Sequence, residues 1–184
     1  MTGKGPRHSR PARLPTRDEC IKLLRENGCD DEVIRHCEAV SALAVKIARK
    51  CGADVGLVEV GGLLHDLGRC RTHEIAHAVE GARVAKEMDL PDPLVKIIER
   101  HIGAGISSAE AKRLGLPKKD YTPRTVEEMI VAHADNLMIG SRRTSVKEAV
   151  GYLARKGQHE PAIKIVKLHE KLSGLCGLDL DDIP

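Results

Sequence analysis

Histidine and aspartate stand side by side at His65-Asp66, directly after the apolar pair Leu63-Leu64. Burying an ionised carboxylate is costly unless a positive charge or hydrogen-bond donors accompany it. A neutral imidazole supplies no fixed positive charge, whereas a divalent cation does. The dipeptide therefore indicates a metal site, although taken alone it favours a simple hydrogen-bonded pair at the end of a helix.

Further histidine and aspartate residues fall on the inward sides of predicted helices. They are His36, His77, His101 and Asp135. A single histidine on an apolar stripe is more often a core residue than a metal ligand. Several on separate inward faces would each need a hydrogen-bond partner, and a shared metal centre satisfies them together. Imidazole and carboxylate ligands without thiolate favour Fe, Mn, Co, Ni or Zn over Ca and over a cysteine-type structural zinc.

Helices are expected to position these residues, because apolar residues recur at helical spacing along most of the chain. Thr16 and Thr125 each precede a glutamate by three residues, which is the pattern of a capping box. Gly61-Gly62 in the third predicted helix indicates that another helix packs very close to it. No segment of useful length alternates with the period of a strand. The predicted fold is therefore all-α, a compact single-domain bundle of about seven to nine helices.

Composition excludes several classes of protein. The 184 residues include no Phe or Trp, so aliphatic side chains must fill the core. No apolar run is long enough to span a bilayer, and the N-terminus lacks the apolar segment of a secretory signal. The six cysteines form no CxxC pair, and several fall in helical patterns where Cys acts as a small buried hydrophobe. They indicate a reducing cytoplasm and argue against a disulfide framework.

The net charge of +3 is unevenly distributed along the chain. Residues 1–15 carry four Lys and Arg residues between prolines, and we predict a disordered basic tail followed by one domain over residues 16–184. Such a tail is expected to contact RNA at most weakly. Aromatic residues for base stacking are nearly absent, so no other contact with nucleic acid and no contact with a membrane is expected.

The ligand order His36, His65-Asp66 and Asp135 resembles that of the HD superfamily of metal-dependent phosphohydrolases, which is named for its His-Asp pair. The run Leu64–Arg69 is close to the family's HDIG signature, with leucine for isoleucine and arginine where lysine is common. A small protein of this layout is also similar to archaeal HD phosphodiesterases, including those that open 2′,3′-cyclic phosphates in pterin biosynthesis.

This resemblance covers about residues 30–140 and leaves out the tail and the C-terminal helices, which are predicted over about residues 145–175. It implies the helical fold of the HD domain. It also implies a first divalent metal ion held by His36, His65, Asp66 and Asp135. A second ion would be held by His77 and His101, with Asp66 bridging the two. Two such ions bind a hydroxide between them and clamp a phosphoryl oxygen during attack.

Basic side chains beside such a centre would bind the phosphate of the substrate. Arg69 is the first candidate, and Arg71, Lys112 and Arg113 are weaker ones. Each is equally interpretable as a surface charge, and for Lys112 and Arg113 that interpretation is preferred. His73 is one helical turn before the predicted ligand His77. It is therefore predicted either to face the site, as a phosphate contact or proton donor, or to be an exposed residue at a helix entry. The predicted catalytic residues are Asp66, Arg69 and His73.

The remaining histidines are assigned no role as ligands. His133 is two residues from Asp135 and therefore points to nearly the opposite side of its helix, which predicts either a supporting contact behind the ligands or core packing. His8, His159 and His169 lie outside the pattern and are predicted to be surface residues.

The expected function is that of a cytoplasmic metal-dependent phosphohydrolase. The resemblance favours a phosphodiesterase acting on a small nucleotide or cyclic phosphate, with a 2′,3′-cyclic phosphate as one candidate. Two alternatives stay open at this point: a di-iron oxygenase of the HD type, and a non-catalytic nucleotide-binding HD domain. The full ligand set argues against the second alternative, because a domain that had lost catalysis should lose ligands first. The sequence leaves the oligomeric state open.

Overall fold

Residues 13–184 are described by a computed structural model, and they fold mainly as α-helix. The predicted basic tail, residues 1–15, lies outside the described residues except for its last three. Of these, Pro15 is buried and Leu14 packs partly buried against the core. In this part of the chain, no helix is both long and apolar enough to cross a bilayer.

The all-α prediction is confirmed. In chain order, the α-helices of the described residues are α1 (Arg17–Glu26), α2 (Asp31–Cys51), α3 (Val55–Leu64), α4 (His77–Glu87), α5 (Asp92–Arg100), α6 (Ser108–Arg113), α7 (Val126–Asn136), α8 (Val146–Arg155) and α9 (His159–Cys176). Short 3₁₀ helices occupy Leu67–Cys70 and Leu180–Asp182. A small antiparallel hairpin pairs β1 (Met138–Ile139) with β2 (Arg142–Arg143).

Helix α7 runs through the middle of the bundle and packs against α2, α3, α5 and α9. Its apolar residues join those of the four surrounding helices in the main core, in which Ile47, Ile130 and Leu172 are fully buried. Each such side chain contributes about 1.5–3 kcal/mol when it leaves water. The central position of α7 holds Asp135, in its last turn, against the helices that carry the other predicted ligands.

Of the two predicted capping boxes, one forms in the structure and the other does not. Thr16 forms both hydrogen bonds of the motif at the start of α1. Thr125 accepts from the backbone N–H of Glu128, but the Glu128 side chain does not return to Thr125. It is buried, and it accepts hydrogen bonds from Arg100 of α5 at 2.9 Å and from the backbone N–H of Arg124 at 2.7 Å. The second capping box is therefore wrong, because a buried charge pair between α5 and α7 takes its carboxylate.

Close packing at Gly61-Gly62 is confirmed. A methyl group on Gly62 would lie 2.6 Å from the Cα of Ser41 in α2, and one on Gly61 would lie 2.9 Å from the Ile97 side chain in α5. Helix α3 therefore touches α2 almost backbone to backbone. Only glycine permits this approach, and it places the end of α3 deep between its neighbours.

The 3₁₀ helix after α3 packs equally closely against α4. A methyl group on Gly68 would lie 1.9 Å from the carbonyl oxygen of His77 and 2.5 Å from the backbone nitrogen of Gly81. This contact brings the residues that follow Asp66 against the first turn of α4. The distance between Asp66 and His77 thus depends on the absence of a side chain at residue 68.

One cysteine pair departs from the expectation drawn from the sequence. Cys51, the last residue of α2, forms a disulfide with Cys176, the last residue of α9, across a Cα–Cα distance of 4.2 Å. The two residues are 125 positions apart, so only the packing of α2 beside α9 brings them together. Cys20, Cys29 and Cys37 are free and buried, as predicted for small hydrophobes.

Replacing Gly68 by alanine should disturb both the fold and the metal site. The added methyl group meets backbone atoms of α4, which cannot rotate away, so we expect a loss of about 1–3 kcal/mol in the free energy of unfolding. Urea denaturation measures this loss. The matched control is Gly174→Ala in α9, where a methyl group meets nothing within 4 Å. That helical substitution should leave stability unchanged or raise it by up to about 1 kcal/mol. Equal effects of the two changes would contradict the packing argument.

Candidate metal centre

The His65-Asp66 pair lies where α3 ends. Helix α3 stops at Leu64, His65 caps it, and the 3₁₀ helix begins at Leu67. His65 is fully buried and Asp66 is 5% exposed. The turn between the two helices lets both side chains approach the same point, with His65 Nε2 3.7 Å from Asp66 Oδ2.

A first group of ligands surrounds Asp66 Oδ2. The Nε2 atom of His36 lies 3.9 Å from this oxygen and 3.0 Å from Asp135 Oδ1. The Nε2 atom of His65 lies 3.6 Å from the same Asp135 oxygen and 3.3 Å from His36 Nε2. The predicted ligands of the first ion, from α2, α3 and α7, are thus brought together around one point.

A second group surrounds the other oxygen of Asp66. His77 Nε2 lies 3.1 Å and His101 Nε2 lies 3.5 Å from Asp66 Oδ1. The two Nε2 atoms are 3.0 Å apart. His77 opens α4 and His101 caps α5, so these ligands come from elements that contribute nothing to the first group. Asp66 stands between the two groups with one oxygen directed to each, as the resemblance implied for a bridging ligand.

Backbone carbonyls fix the orientation of all four imidazoles. Each Nδ1 atom lies 2.7–2.8 Å from a carbonyl oxygen: His36 from Gly140, His65 from Gly62, His77 from Glu74 and His101 from Ile98. A carbonyl only accepts, so Nδ1 must carry the proton. In the neutral imidazole the Nε2 atom is then a bare lone pair, which is the form that binds metal.

This arrangement fits divalent cations. The Nε2 lone pairs of His77 and His101 face each other, and so do those of His36 and His65. Lone pairs at such distances repel unless a proton or a cation lies between them. Two carboxylates add negative charge to the same place: Asp66, which is buried, and Asp135, whose side chain is 24% exposed. The donor set of imidazole and carboxylate is one that transition metals prefer.

Charge at the centre acts in the same direction. Burial alone would raise the pKa of Asp66, but the surrounding His65, His101 and His77 lower that pKa well below its usual value. Burial alone would lower the pKa of His65, yet the charge of Asp66 raises that pKa well above its usual value. The Asp66 carboxylate therefore stays ionised, and its negative charge favours positive charge beside it.

The centre opens into a cavity of about 320 Å³. Its lining includes the ligands His36 and Asp66, the predicted phosphate contacts Arg69 and His73, and the rim residues Asp30, Glu32, Val33 and Gly140. Arg69 donates to Asp66 Oδ1 at 3.1 Å and to the carbonyl of His73 at 2.7 Å. The weaker candidates Arg71, Lys112 and Arg113 are exposed and do not line this cavity.

His169 corrects one prediction from the sequence, because it is buried rather than on the surface. Its Nδ1 atom lies 3.0 Å from Nε2 of His133, and its Nε2 atom lies 2.9 Å from Asp179. Burial and the nearby His169 lower the pKa of His133 to about 3, so His133 is neutral. His133 packs in the core between α7 and α9, away from Asp135, as its spacing predicted.

The carbonyl of Gly140 has no counterpart in the sequence-based site. It lies at the turn of the β1–β2 hairpin, where Gly140 adopts a left-handed φ of 58°. Its oxygen accepts from His36, the least buried of the four imidazoles. A backbone oxygen carries no residue type, so only the glycine of a tight turn hinted at this position.

The comparisons with known proteins identify the family of this chain. The HD domain family matches residues 33–139, which span all the ligands described above. The chain therefore belongs to the HD domain family, whose members bind divalent metal ions.

Its relatives carry several names. The chain is 48% identical over 92% of its length to a tRNA (cytidine(56)-2′-O)-methyltransferase of Picrophilus torridus, of which it spans only 50%. It is 44% identical over 86% of its length to an uncharacterized protein of Methanocaldococcus jannaschii and covers 97% of that protein. It is 31% identical over 72% of its length to ribonuclease Y of Finegoldia magna, of which it covers 24%.

A solved structure shows the same fold. The HD domain of the L. monocytogenes phosphodiesterase PgpH, solved in complex with cyclic-di-AMP, aligns with a TM-score of 0.53 at 20% identity. The alignment covers 85% of this chain and 96% of that domain. At this identity the likeness concerns the fold alone.

Separate substitutions should distinguish one metal ion from two. His77 and His101 are the two imidazoles that face Asp66 Oδ1, so His77→Ala and His101→Ala should each reduce bound metal toward one ion per chain. The first group keeps all its ligands, and the helices should stay folded. Elemental analysis beside a melting curve measures both effects. His159→Ala, at an exposed position, is the control. Wild-type protein with one ion, unchanged in both variants, would refute a second site.

Proposed function

We propose that the protein is a metal-dependent phosphodiesterase that hydrolyses a small nucleotide or cyclic phosphate. One observation carries the proposal: two groups of ligands share Asp66, and this shared carboxylate lines an open cavity together with Arg69. The proposal is supported by the names of the phosphodiesterase PgpH and of ribonuclease Y, because both enzymes cleave phosphodiester bonds. The methyltransferase name does not assign a reaction to this chain, because the chain spans only 50% of that relative.

The size of the cavity supports a small substrate. Its volume of about 320 Å³ is near the lower end of the range for ligand pockets. A nucleotide or cyclic nucleotide could occupy it with the phosphate beside Asp66 and the base near the rim. The rim carries Asp30 and Glu32, whose carboxylates accept hydrogen bonds from base amino groups and repel further phosphates.

Arg69 is the residue best placed to orient the phosphate. Its Nε and one terminal nitrogen are held by Asp66 and by the carbonyl of His73. The other terminal nitrogen, Nη2, makes no hydrogen bond to any described residue. The side chain is 28% exposed at the cavity wall. Arg69 thus has a fixed position and a free donor, Nη2, which is available for a charge-assisted hydrogen bond to phosphate.

The other residues of the site have complementary roles. Asp66 and Asp135, both kept ionised, hold the two groups of imidazoles in place through their oxygens. Divalent ions at these groups would polarise the phosphoryl oxygen and supply a nucleophile near neutral pH. His73, exposed at the mouth of the cavity, can donate a proton to the departing alkoxide.

Asp66→Asn should abolish hydrolysis and lower the metal content, because it removes the carboxylate whose two oxygens face the two groups of ligands. The amide keeps the volume of the side chain, so the fold should survive. Mn-, Fe-, Ni- and Co-loaded protein is assayed against mononucleotides, 2′,3′-cyclic phosphates, 3′,5′-cyclic nucleotides and cyclic-di-AMP. Asp18→Asn on the exposed face of α1 is the control. Near wild-type turnover by the Asp66 variant would refute the assignment of the site.

Arg69→Ala should reduce kcat/KM while the metal content stays normal. Losing one charge-assisted hydrogen bond to phosphate costs about 1.5–3 kcal/mol, or roughly ten- to a hundredfold. Steady-state kinetics on the best substrate of the screen measures the change. Arg71→Ala is the matched control, since Arg71 is exposed and lies two positions away outside the cavity. Equal kcat/KM in the two variants would remove Arg69 from the site.

A further inference from the structure

A second cavity, of about 390 Å³, lies between α9 and the loops on either side of α6. Three lysines of α9 form one wall: Lys164, Lys167 and Lys171. The opposite wall consists of small and hydroxyl-bearing residues: Ala104, Gly105, Ser107, Thr122 and Pro123. Met129 and Leu168 form an apolar floor. We call this cavity, defined by these residues, the lysine groove.

The three lysines lie along one stripe of α9. Their spacing of three and four residues places them on the same face, over a length of about 10 Å at 1.5 Å per residue. Lys164 is partly neutralised, since it pairs with Glu110 at 2.5 Å. Lys167 and Lys171 are exposed and form no ion pair within residues 13–184. Glu110 lies beside the groove in this pair, so the uncompensated positive charge of the wall is that of Lys167 and Lys171.

The opposite wall is preformed. Gly105 has a φ of 102°, and a methyl group there would lie 2.8 Å from the Cα of Thr122. The two loops therefore meet almost backbone to backbone and cannot collapse into the groove. The wall is also tied to the metal centre. Its segment follows His101, and Asn136, the neighbour of Asp135, donates to the carbonyl of Gly103 at 2.9 Å.

We propose that the lysine groove binds the phosphate backbone of single-stranded RNA. Lysines at this spacing match consecutive phosphates, Ser107 and Thr122 add hydroxyl donors, and the apolar floor offers a surface for one base. Two relatives with different names, a tRNA methyltransferase and a ribonuclease, act on RNA by those names. This proposal does not require hydrolysis at the metal centre. It adds a second site of nucleic-acid contact to the weak contact of the tail that the sequence led us to expect.

The test is the loss of RNA affinity in a variant that leaves the Glu110 pair intact. Lys167→Gln/Lys171→Gln is compared with Lys86→Gln/Lys96→Gln, which removes the same charge from exposed positions on α4 and α5. Fluorescence anisotropy with a labelled single-stranded RNA of twelve nucleotides measures the affinity of the full chain for RNA. The groove variant should bind about tenfold more weakly in low salt, and the control should bind like wild type.

Salt dependence adds an independent readout. Each phosphate contact on a single strand contributes about −0.7 to the slope of log K against log salt concentration, so the groove variant should lose about 1.4 from that slope. Equal affinities and slopes for the two variants would overturn the proposal. So would an acidic peptide of matched charge that displaces the RNA at equal concentration, because the groove would then recognise charge alone. Since the assay reads binding only, a protein without hydrolase activity would still test the groove.

Discussion

The negative charge of the buried Asp66 carboxylate must be compensated, and the arrangement of the surrounding helices depends on this constraint. Asp66 is nearly inaccessible to water, and four imidazoles lie within 4 Å of its oxygens in addition to Arg69. An ionised group in such a place is tolerated only with opposite charge or several donors around it. The ends of α3 and α5 and the start of α4 all converge on this one side chain. The bundle is organised so that five separate elements reach a single charged point.

Close backbone packing makes that convergence possible. Imidazoles can meet at about 3 Å only if the elements that carry them approach more closely than ordinary side chains allow. Gly62 lets α3 touch α2, and Gly68 with Gly81 lets the 3₁₀ helix touch α4. These glycines lower the intrinsic helix propensity of their segments. Burial of the surrounding aliphatic core offsets this cost, so the geometry of the site is supported by packing rather than by local preference.

The sequence predicted the helices well, and it predicted which side chains gather at the centre, because both have local signals. Apolar periodicity and residues such as Thr16 mark the helices, and inward polar positions such as His36 and Asp135 mark the centre. Long-range partners were the features it could not predict. Glu128 looked like half of a capping box, but its carboxylate is taken by Arg100, 28 residues earlier in the chain. His169 looked exposed, and it is buried only because α9 packs against α7 beside His133.

The same limit applies to the Cys51–Cys176 disulfide and to the carbonyl of Gly140 that orients His36. The first joins residues far apart in the chain, and no local pattern distinguishes them from the cysteines that stay free. The second is a main-chain atom, which every residue possesses. Its role depends on the β1–β2 hairpin that positions it, and each strand of that hairpin is only two residues long.

The buried pair of Arg100 and Glu128 has a consequence for motion. Arg100 precedes the ligand His101, and Glu128 lies two turns before the ligand Asp135, so the pair joins a helix of the second group to a helix of the first. Separating α5 from α7 would leave two charges in the core without partners, which is strongly unfavourable. Local opening of either helix alone is therefore suppressed. The two helices are expected to exchange their amide hydrogens as one cooperative unit, at a rate set by unfolding of the whole domain.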